Sequence, residues 1–278
     1  MELTSGSAIV TGAAGGIGSV ISARLASQGM SVVMADLDAE GLELARAAIL
    51  EYRPDADLVA LVGDVSDPAY NAELIAAAED SRGLRLSVLN AAVSLPGLSW
   101  EEPIDRWELT VNVNLWGVVH GMRAALATMV PRGDGWVVAI SSGAGLVATP
   151  GLAPYVATKH AIVGLMESTH HELARVGSDV GVSVICPGNI DTATDDKPAM
   201  AGIDAADGSA FPEVIDAIQA TTRRGVESGA DPSTVADALV AGVGVGRFWV
   251  LPQPELAWAA TDRMRRLAEG EDPVDLLG

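Results

Sequence analysis

Cysteine is nearly absent from this chain: one residue, Cys186, in 278. A single thiol excludes an internal disulfide and any cysteine-based metal cluster. Its setting, GVSVICPG, reads as a buried strand, so a packed thiol rather than a nucleophile is expected. Aromatic residues make up only 4%, which leaves Ala, Val, Leu and Ile to build the core. Basic residues are also few: 17 Lys and Arg stand against 37 Asp and Glu, a net charge of −20. Nucleic acid, whose phosphates demand basic patches, is thereby excluded as a partner. The acidic balance reads as a solubilising surface. No apolar run reaches ~18 residues without a charge, Gly or Pro, so no membrane span is expected. The opening MELTSGSAIVTG runs straight into a strand and glycine turn with no signal-peptide pattern, and a cytoplasmic protein is expected. The four histidines, His120, His160, His170 and His171, lack metal-ligand spacing, and no metal is expected.

What the chain does have is apolar content of 49% and 30 glycines, which suit a compact core with tight turns. Length and even composition imply one domain over 1–278, with a substrate lid at about 193–230 and a closing strand and helix at 247–278. Apolar runs of strand length alternate with helical patterns throughout. That rhythm implies an α/β fold: a doubly wound, Rossmann-like, mostly seven-stranded parallel sheet with helices on both faces. The first run, SAIV, leads into Thr11-Gly12-Ala13-Ala14-Gly15-Gly16-Ile17-Gly18 and then a helix. Strand, glycine turn and helix form the context of a dinucleotide pyrophosphate site. Gly12 permits the turn, while Gly16 and Gly18 admit phosphate and helix packing; the helix N-terminus offers N–H groups and a positive dipole end.

Asp36 ends the second strand, where a carboxylate accepts hydrogen bonds from adenosine ribose hydroxyls and repels a 2′-phosphate. Neither the glycine turn nor Leu37 supplies an Arg or Lys for such a phosphate, so NAD rather than NADP is the expected cofactor. Asp64-Val65 ends the third strand, where the carboxylate could meet an adenine amino group, and Asn90-Ala91-Ala92 ends the fourth. A long helix is expected over 107–129, with Asn112 and Asn114 in its apolar interior. Asn is a poor mid-helix residue, so both call for a role. The sixth strand ends in Pro187-Gly188, followed by Ile190, Asp191 and Thr192.

The fifth strand delivers Ser142, and the following helix carries Tyr155 and Lys159 four residues apart, on one face. A phenol titrates near pH 10, roughly three units too high for a base at neutral pH. A cation beneath it is expected to draw that value down. Ser142 offers a second hydrogen bond to the reacting oxygen. The expected pocket wall combines Val93 and Leu95, Ser142, Leu146, Val147 and Leu152, Asn189, and the lid. It is apolar and has no Arg or Lys for a carboxylate or phosphate. A neutral small molecule of moderate size, aromatic or alicyclic, is the expected ligand.

Taken together, these motifs resemble the short-chain dehydrogenases/reductases in their shorter single-domain branch. TGxxxGIG matches Thr11 to Gly18, YxxxK matches Tyr155 to Lys159, and the vNlxG segment aligns with residues 113–117. The family's NAG is matched imperfectly, with Ala92 in place of Gly. The resemblance implies an NAD-dependent oxidoreductase interconverting a neutral secondary alcohol and a ketone, with oxidation as the working direction and a tetrad of Asn114, Ser142, Tyr155 and Lys159. Tyr155 would exchange the proton with the substrate oxygen, Ser142 would polarise that oxygen, and Lys159 would bind the nicotinamide ribose. Asn114 would kink its helix and hold a relay water, leaving Asn112 as structural. It implies cofactor contacts at Gly12, Gly16, Ile17, Gly18, Asp36, Leu37, Asp64, Val65, Asn90 and Ala91. Others follow at Tyr155, Lys159, Pro187, Gly188, Ile190 and Thr192, the last against the carboxamide. It further implies a homo-oligomer, dimer or tetramer, built on the helices at 107–129 and 154–176. Two rival readings share the fold: a non-catalytic NAD(H)-sensing protein, and an epimerase or dehydratase working through a keto intermediate.

Overall fold

A computed structural model describes residues 1–192 and 209–274. The order is β1 (Ser7–Thr11), α1 (Gly16–Gln28), β2 (Ser31–Asp36), α2 (Ala39–Tyr52), β3 (Leu58–Val62), α3 (Pro68–Ser81) and β4 (Leu84–Leu89). The second half runs α4 (Ile104–Val111), a π-turn (Asn112–Trp116), α5 (Gly117–Arg132), β5 (Trp136–Ile140), α6 (Ala153–Arg175) and β6 (Gly181–Ile185). It closes with α7 (Pro212–Glu227), α8 (Ser233–Gly244), β7 (Trp249–Val250) and α9 (Leu256–Glu269). The strands form one seven-stranded sheet in the order β3-β2-β1-β4-β5-β6-β7, with parallel pairing throughout. The order reverses between β1 and β4, and the strand ends beside that reversal form the crevice of a doubly wound sheet.

The strands are apolar on both faces because helices cover both. On one side Val10, Val32 and Val138 pack against Ile21 and Leu25 of α1, Leu42 of α2, and Leu239 and Val243 of α8. On the other, Ile9, Val33 and Val137 meet Leu74 of α3, Met122 and Met129 of α5, and Ile162 and Met166 of α6. Consecutive residues of β1 thus serve opposite layers, as the two-residue period of a strand requires. Among the described residues, no helix is long and apolar enough to cross a membrane.

The helix expected over 107–129 is present as one helical run from 104 to 132, but it is not α-helical throughout. Between α4 and α5 the backbone widens into the π-turn, where the Gly117 N–H bonds the Asn112 carbonyl. Such insertions break the register of a helix and commonly mark functional sites. Asn112 is exposed while Asn114 is fully buried, so only one of the two lies in the interior. Of the expected lid, residues 193–208 lie outside the described residues; 212–227 form α7.

Candidate active site

The glycine turn between β1 and α1 is held by side chains from two neighbouring strands. The Asn90 amide nitrogen donates to the Thr11 carbonyl at 2.9 Å, and the Thr11 hydroxyl receives the Asn90 and Ala91 N–H groups at 2.9 and 3.1 Å. The Ala14 N–H donates to Asp36 Oδ2 at 2.9 Å, while Asp36 Oδ1 receives the Asp38 N–H at 3.1 Å. Gly12 has φ 68°, and a Cβ on Gly18 would overlap the Gly12 carbonyl oxygen, so helix and turn touch backbone to backbone. A Cβ built on Gly15 meets nothing within 4 Å. The N-terminus of α1 has no side-chain cap and no acidic residue in its first turn. Open space, unpaired amides and a positive dipole end suit a phosphate there.

Around this cleft, Asp36 ends β2 and Leu37 stands 58% exposed beside it. Asp64 is exposed, with its carboxylate receiving the Ser66 N–H at 2.8 Å, and Val65 is buried against Gly117. Gly16 lies under Thr192, whose Cβ would be 3.3 Å from an added methyl. The loops carrying Asp36, Asn90, Ser142, Pro187-Gly188 and Thr192 all leave the C-terminal ends of their strands, where an α/β sheet binds ligands.

Ser142 follows β5; its hydroxyl receives the Ala144 N–H at 3.1 Å and acts on the Tyr155 phenol, drawing its pKa down. The Lys159 ammonium lies one helical turn below, 5.3 Å from the centre of the Tyr155 ring, and donates to the Ile140 carbonyl at 2.9 Å. Tyr155 is therefore influenced by both Ser142 and Lys159. The expected fall in the Tyr155 pKa does not occur in this arrangement. Burial raises it, and the Ser142 hydroxyl only partly offsets that rise. Proximity to a cation was legible in the spacing, whereas the degree of burial was not.

Burial acts on Lys159 too. Only 2% exposed, it falls to about 8 from the usual 10.5. An ammonium depressed in this way binds fewer protons than it does in the unfolded chain, so stability rises as pH climbs from about 8 to 10.5. Relative to a Lys159→Met variant, which lacks the titration, the wild-type protein is expected to gain on the order of 2–3 kcal/mol across that window. Urea unfolding of both proteins at several pH values reads the difference directly. A wild-type advantage that shrinks with rising pH would mean that the fold stabilises the charged form instead.

Asn114 joins the site through its side-chain amide. Its side-chain oxygen receives the Val93 N–H and its nitrogen donates to the Val93 carbonyl, both at 2.8 Å. The same nitrogen reaches the Thr158 hydroxyl at 3.3 Å, and Thr158 donates to the Tyr155 carbonyl at 2.8 Å. The Asn114 amide is thus committed to protein groups, clamping the exit of β4 to the helix that carries Tyr155 and Lys159. Thr158 was overlooked in the sequence because a Thr between Tyr155 and Lys159 reads as a neutral helix residue.

Of the expected pocket residues, Leu95, Val147 and Leu152 are buried, Val93 and Leu146 are partly buried, and Asn189 is exposed. Two later elements cover this region. Ile218 of α7 sits over Gly151, and Gly225 of α7 over Asn189. From the other end, Leu256 of α9 packs over Gly143 and Gly188, Gln253 Oε1 receives the Gly188 N–H at 3.0 Å, and Arg263 donates to the Leu146 carbonyl at 3.3 Å. Among the described residues no group of three or more His, Cys, Asp or Glu could hold a metal ion.

Comparison with known proteins gives consistent results. A family model described as short chain dehydrogenase matches residues 7–200. The chain is 30% identical over 275 residues to the CLA biosynthesis dehydrogenase/reductase of Lactiplantibacillus plantarum, covering 96% of this chain and 95% of that protein. It is 38% identical over 196 residues to the 1-deoxy-11-beta-hydroxypentalenate dehydrogenase of Streptomyces avermitilis, with coverage of 69% and 71%. The crystal structure of a short chain dehydrogenase/reductase from Burkholderia phymatum in complex with NAD matches at TM-score 0.90 and 28% identity, over 100% of this chain and 99% of that one. The glycine turn, the parallel sheet and these matches together make the chain an oxidoreductase belonging to the short-chain dehydrogenase/reductase family.

Proposed function

We propose that this oxidoreductase interconverts a neutral secondary alcohol and its ketone, using NAD. The observation that carries the reading is the Tyr155 phenol with the buried Lys159 ammonium 5.3 Å from its ring and Ser142 acting on its hydroxyl. The glycine turn fits a dinucleotide, because Gly15 borders open space and α1 begins without cap or acid. Asp36, with no cation at Leu37, favours ribose hydroxyls over a 2′-phosphate. Bound NAD supplies a hydride acceptor, and its reduced form a donor.

In this reading the chain's own groups position and move the proton. Tyr155 exchanges it with the substrate oxygen, and Ser142 hydrogen-bonds that oxygen as charge develops on it. Lys159, already aligned by the Ile140 carbonyl, holds the ribose hydroxyls. Asn114 keeps α6 and the β4 exit in register through Val93 and Thr158. Asp64 and Val65 border the adenine, Asn90 and Ala91 brace the turn, and Pro187, Gly188, Ile190 and Thr192 flank the nicotinamide. The apolar lining of Leu95, Leu146, Val147 and Leu152 supports a neutral substrate. The same reading assigns the enzyme to the cytoplasm as a homo-oligomer, for which the exposed Trp116, stacked on His120 beside the π-turn, offers an apolar contact.

The test is an absorbance assay of reduced nicotinamide with NAD and NADP separately, against a panel of neutral secondary alcohols. Reduction of NAD by some of them is the expected result. Silence across the panel while NAD still raises the melting temperature would refute the substrate class, and failure to bind NAD would refute the cofactor.

A further inference from the structure

Among the described residues, one buried pair of charges has no part in the tetrad or the cofactor cleft. Arg106 Nε lies 2.7 Å from Glu102 Oε1, with the two side chains only 6% and 1% exposed. Taking two charges out of water is costly, and a buried pair adds little net stability over apolar side chains of similar size. An exposed pair such as Arg82 with Asp57, at 50% and 38% exposure, carries no such cost. The Glu102 carboxylate is also pressed against backbone: a Cβ on Gly97 would overlap Glu102 Oε2, so that position admits no side chain while the carboxylate is there.

Gly97 in turn connects to the site. Its N–H donates to the Gly151 carbonyl at 2.9 Å, four residues before Tyr155. Gly151, with φ 74°, lies beneath Ile218 of α7. The neighbouring acid faces the other way: Glu101 Oε2 receives the Ser209 hydroxyl at 2.5 Å, just ahead of α7. Leu95, buried two residues before Gly97, belongs to the apolar lining. Three walls of the substrate region therefore meet at the 97–106 segment: the β4 exit, the loop before Tyr155, and α7.

We infer that the Glu102–Arg106 pair is a positioning device that fixes the wall of the substrate pocket by holding Gly97 against Gly151. This rests on the dehydrogenase reading for its consequence in turnover, though not for the state of the wall itself. An apolar pair of equal volume would fill the space without specifying the Gly97 backbone. What the pair adds is a carboxylate fixed by Arg106 in the space over the Gly97 Cα, where a flexible apolar side chain would not be held.

The test uses the full chain with NAD, and cyclohexanol and 1-phenylethanol as probe alcohols. Amide hydrogen exchange reports on the wall without requiring turnover. In Glu102→Gln, residues 95–102 are expected to exchange about tenfold faster while amides of the central strands keep their protection. The KM for the better probe is expected to rise about tenfold, with kcat and NAD affinity within about threefold of wild type. In Glu102→Leu/Arg106→Met, the melting temperature is expected to return to the wild-type value while the fast exchange and raised KM persist. Gly97→Ala disturbs the same contact from the loop side and carries the same expectation if a charge variant does not fold. Unchanged exchange over 95–102, or exchange and KM that recover together with melting temperature in the double variant, would overturn the inference. If wild type turns over neither probe, the alcohol reading loses support, while the exchange result still decides the role of the pair.

Discussion

Tyr155→Phe is expected to lower kcat by about a thousandfold or more, the scale of a lost proton-transfer group. NAD affinity and melting temperature are expected to stay near wild type. The substitution removes one hydroxyl and leaves a ring of the same shape above Lys159. Ser142 keeps its bond from the Ala144 N–H, and Lys159 its bond to the Ile140 carbonyl, so the surrounding geometry has no reason to relax. Steady-state kinetics beside an NAD titration separate the two effects. Turnover within a few-fold of wild type would remove Tyr155 from the mechanism. The raised phenol pKa adds a direction. A phenol that holds its proton through neutral pH is ready to give it to a ketone oxygen, while accepting one from an alcohol requires the phenolate. Oxidation is therefore expected to accelerate as pH rises through the alkaline range, with ketone reduction favoured at neutral pH.

Exchanging Asp36 for Ala together with Leu37 for Arg is expected to shift the NAD-to-NADP ratio of kcat/KM by about a hundredfold or more toward NADP. The shift combines lost repulsion of a 2′-phosphate with a charge-assisted bond, each on the order of 1.5–3 kcal/mol. Leu37 is exposed at the end of β2, so an arginine there pays no burial cost. The structure adds a second consequence. Asp36 also anchors the glycine turn through the Ala14 N–H, so the double variant is expected to lose about 1 kcal/mol of stability as well. Cofactor kinetics and thermal melts measure the two separately. A lower melting temperature with an unchanged ratio would show that Asp36 serves only as a brace for the turn.

The strands, most helices and the placement of Ser142, Tyr155 and Lys159 were legible because a parallel sheet buried on both faces demands continuous apolar runs, and helices between them show their own period. The π-turn was not. Its trace in the sequence was two asparagines in an apolar helix, and only Asn114 turned inward. The Glu102–Arg106 pair was hidden for the opposite reason. EEPIDRWE reads as an amphipathic segment with an ordinary i,i+4 surface pair, whereas its carboxylate is buried against Gly97, outside that segment. The direction of the Tyr155 shift failed on the same ground: spacing reveals which groups are neighbours, whereas solvent access is set by the whole fold.

The reversal in strand order also governs when the site can exist. β1 lies between β2 and β4, and Val10 pairs with Val88 across most of the first ninety residues. During synthesis, β1 has one partner as soon as β2 emerges, but the second arrives only with β4. The groups that brace the glycine turn, the Asn90 side chain and the Asn90 and Ala91 amides, come with that same strand end. Contacts this distant in the chain form slowly, because the intervening loop must close before they are made. The nascent chain therefore holds an open strand edge and an unbraced turn until β4 docks, and cofactor binding becomes possible only with that step, late in the assembly of the first half of the sheet.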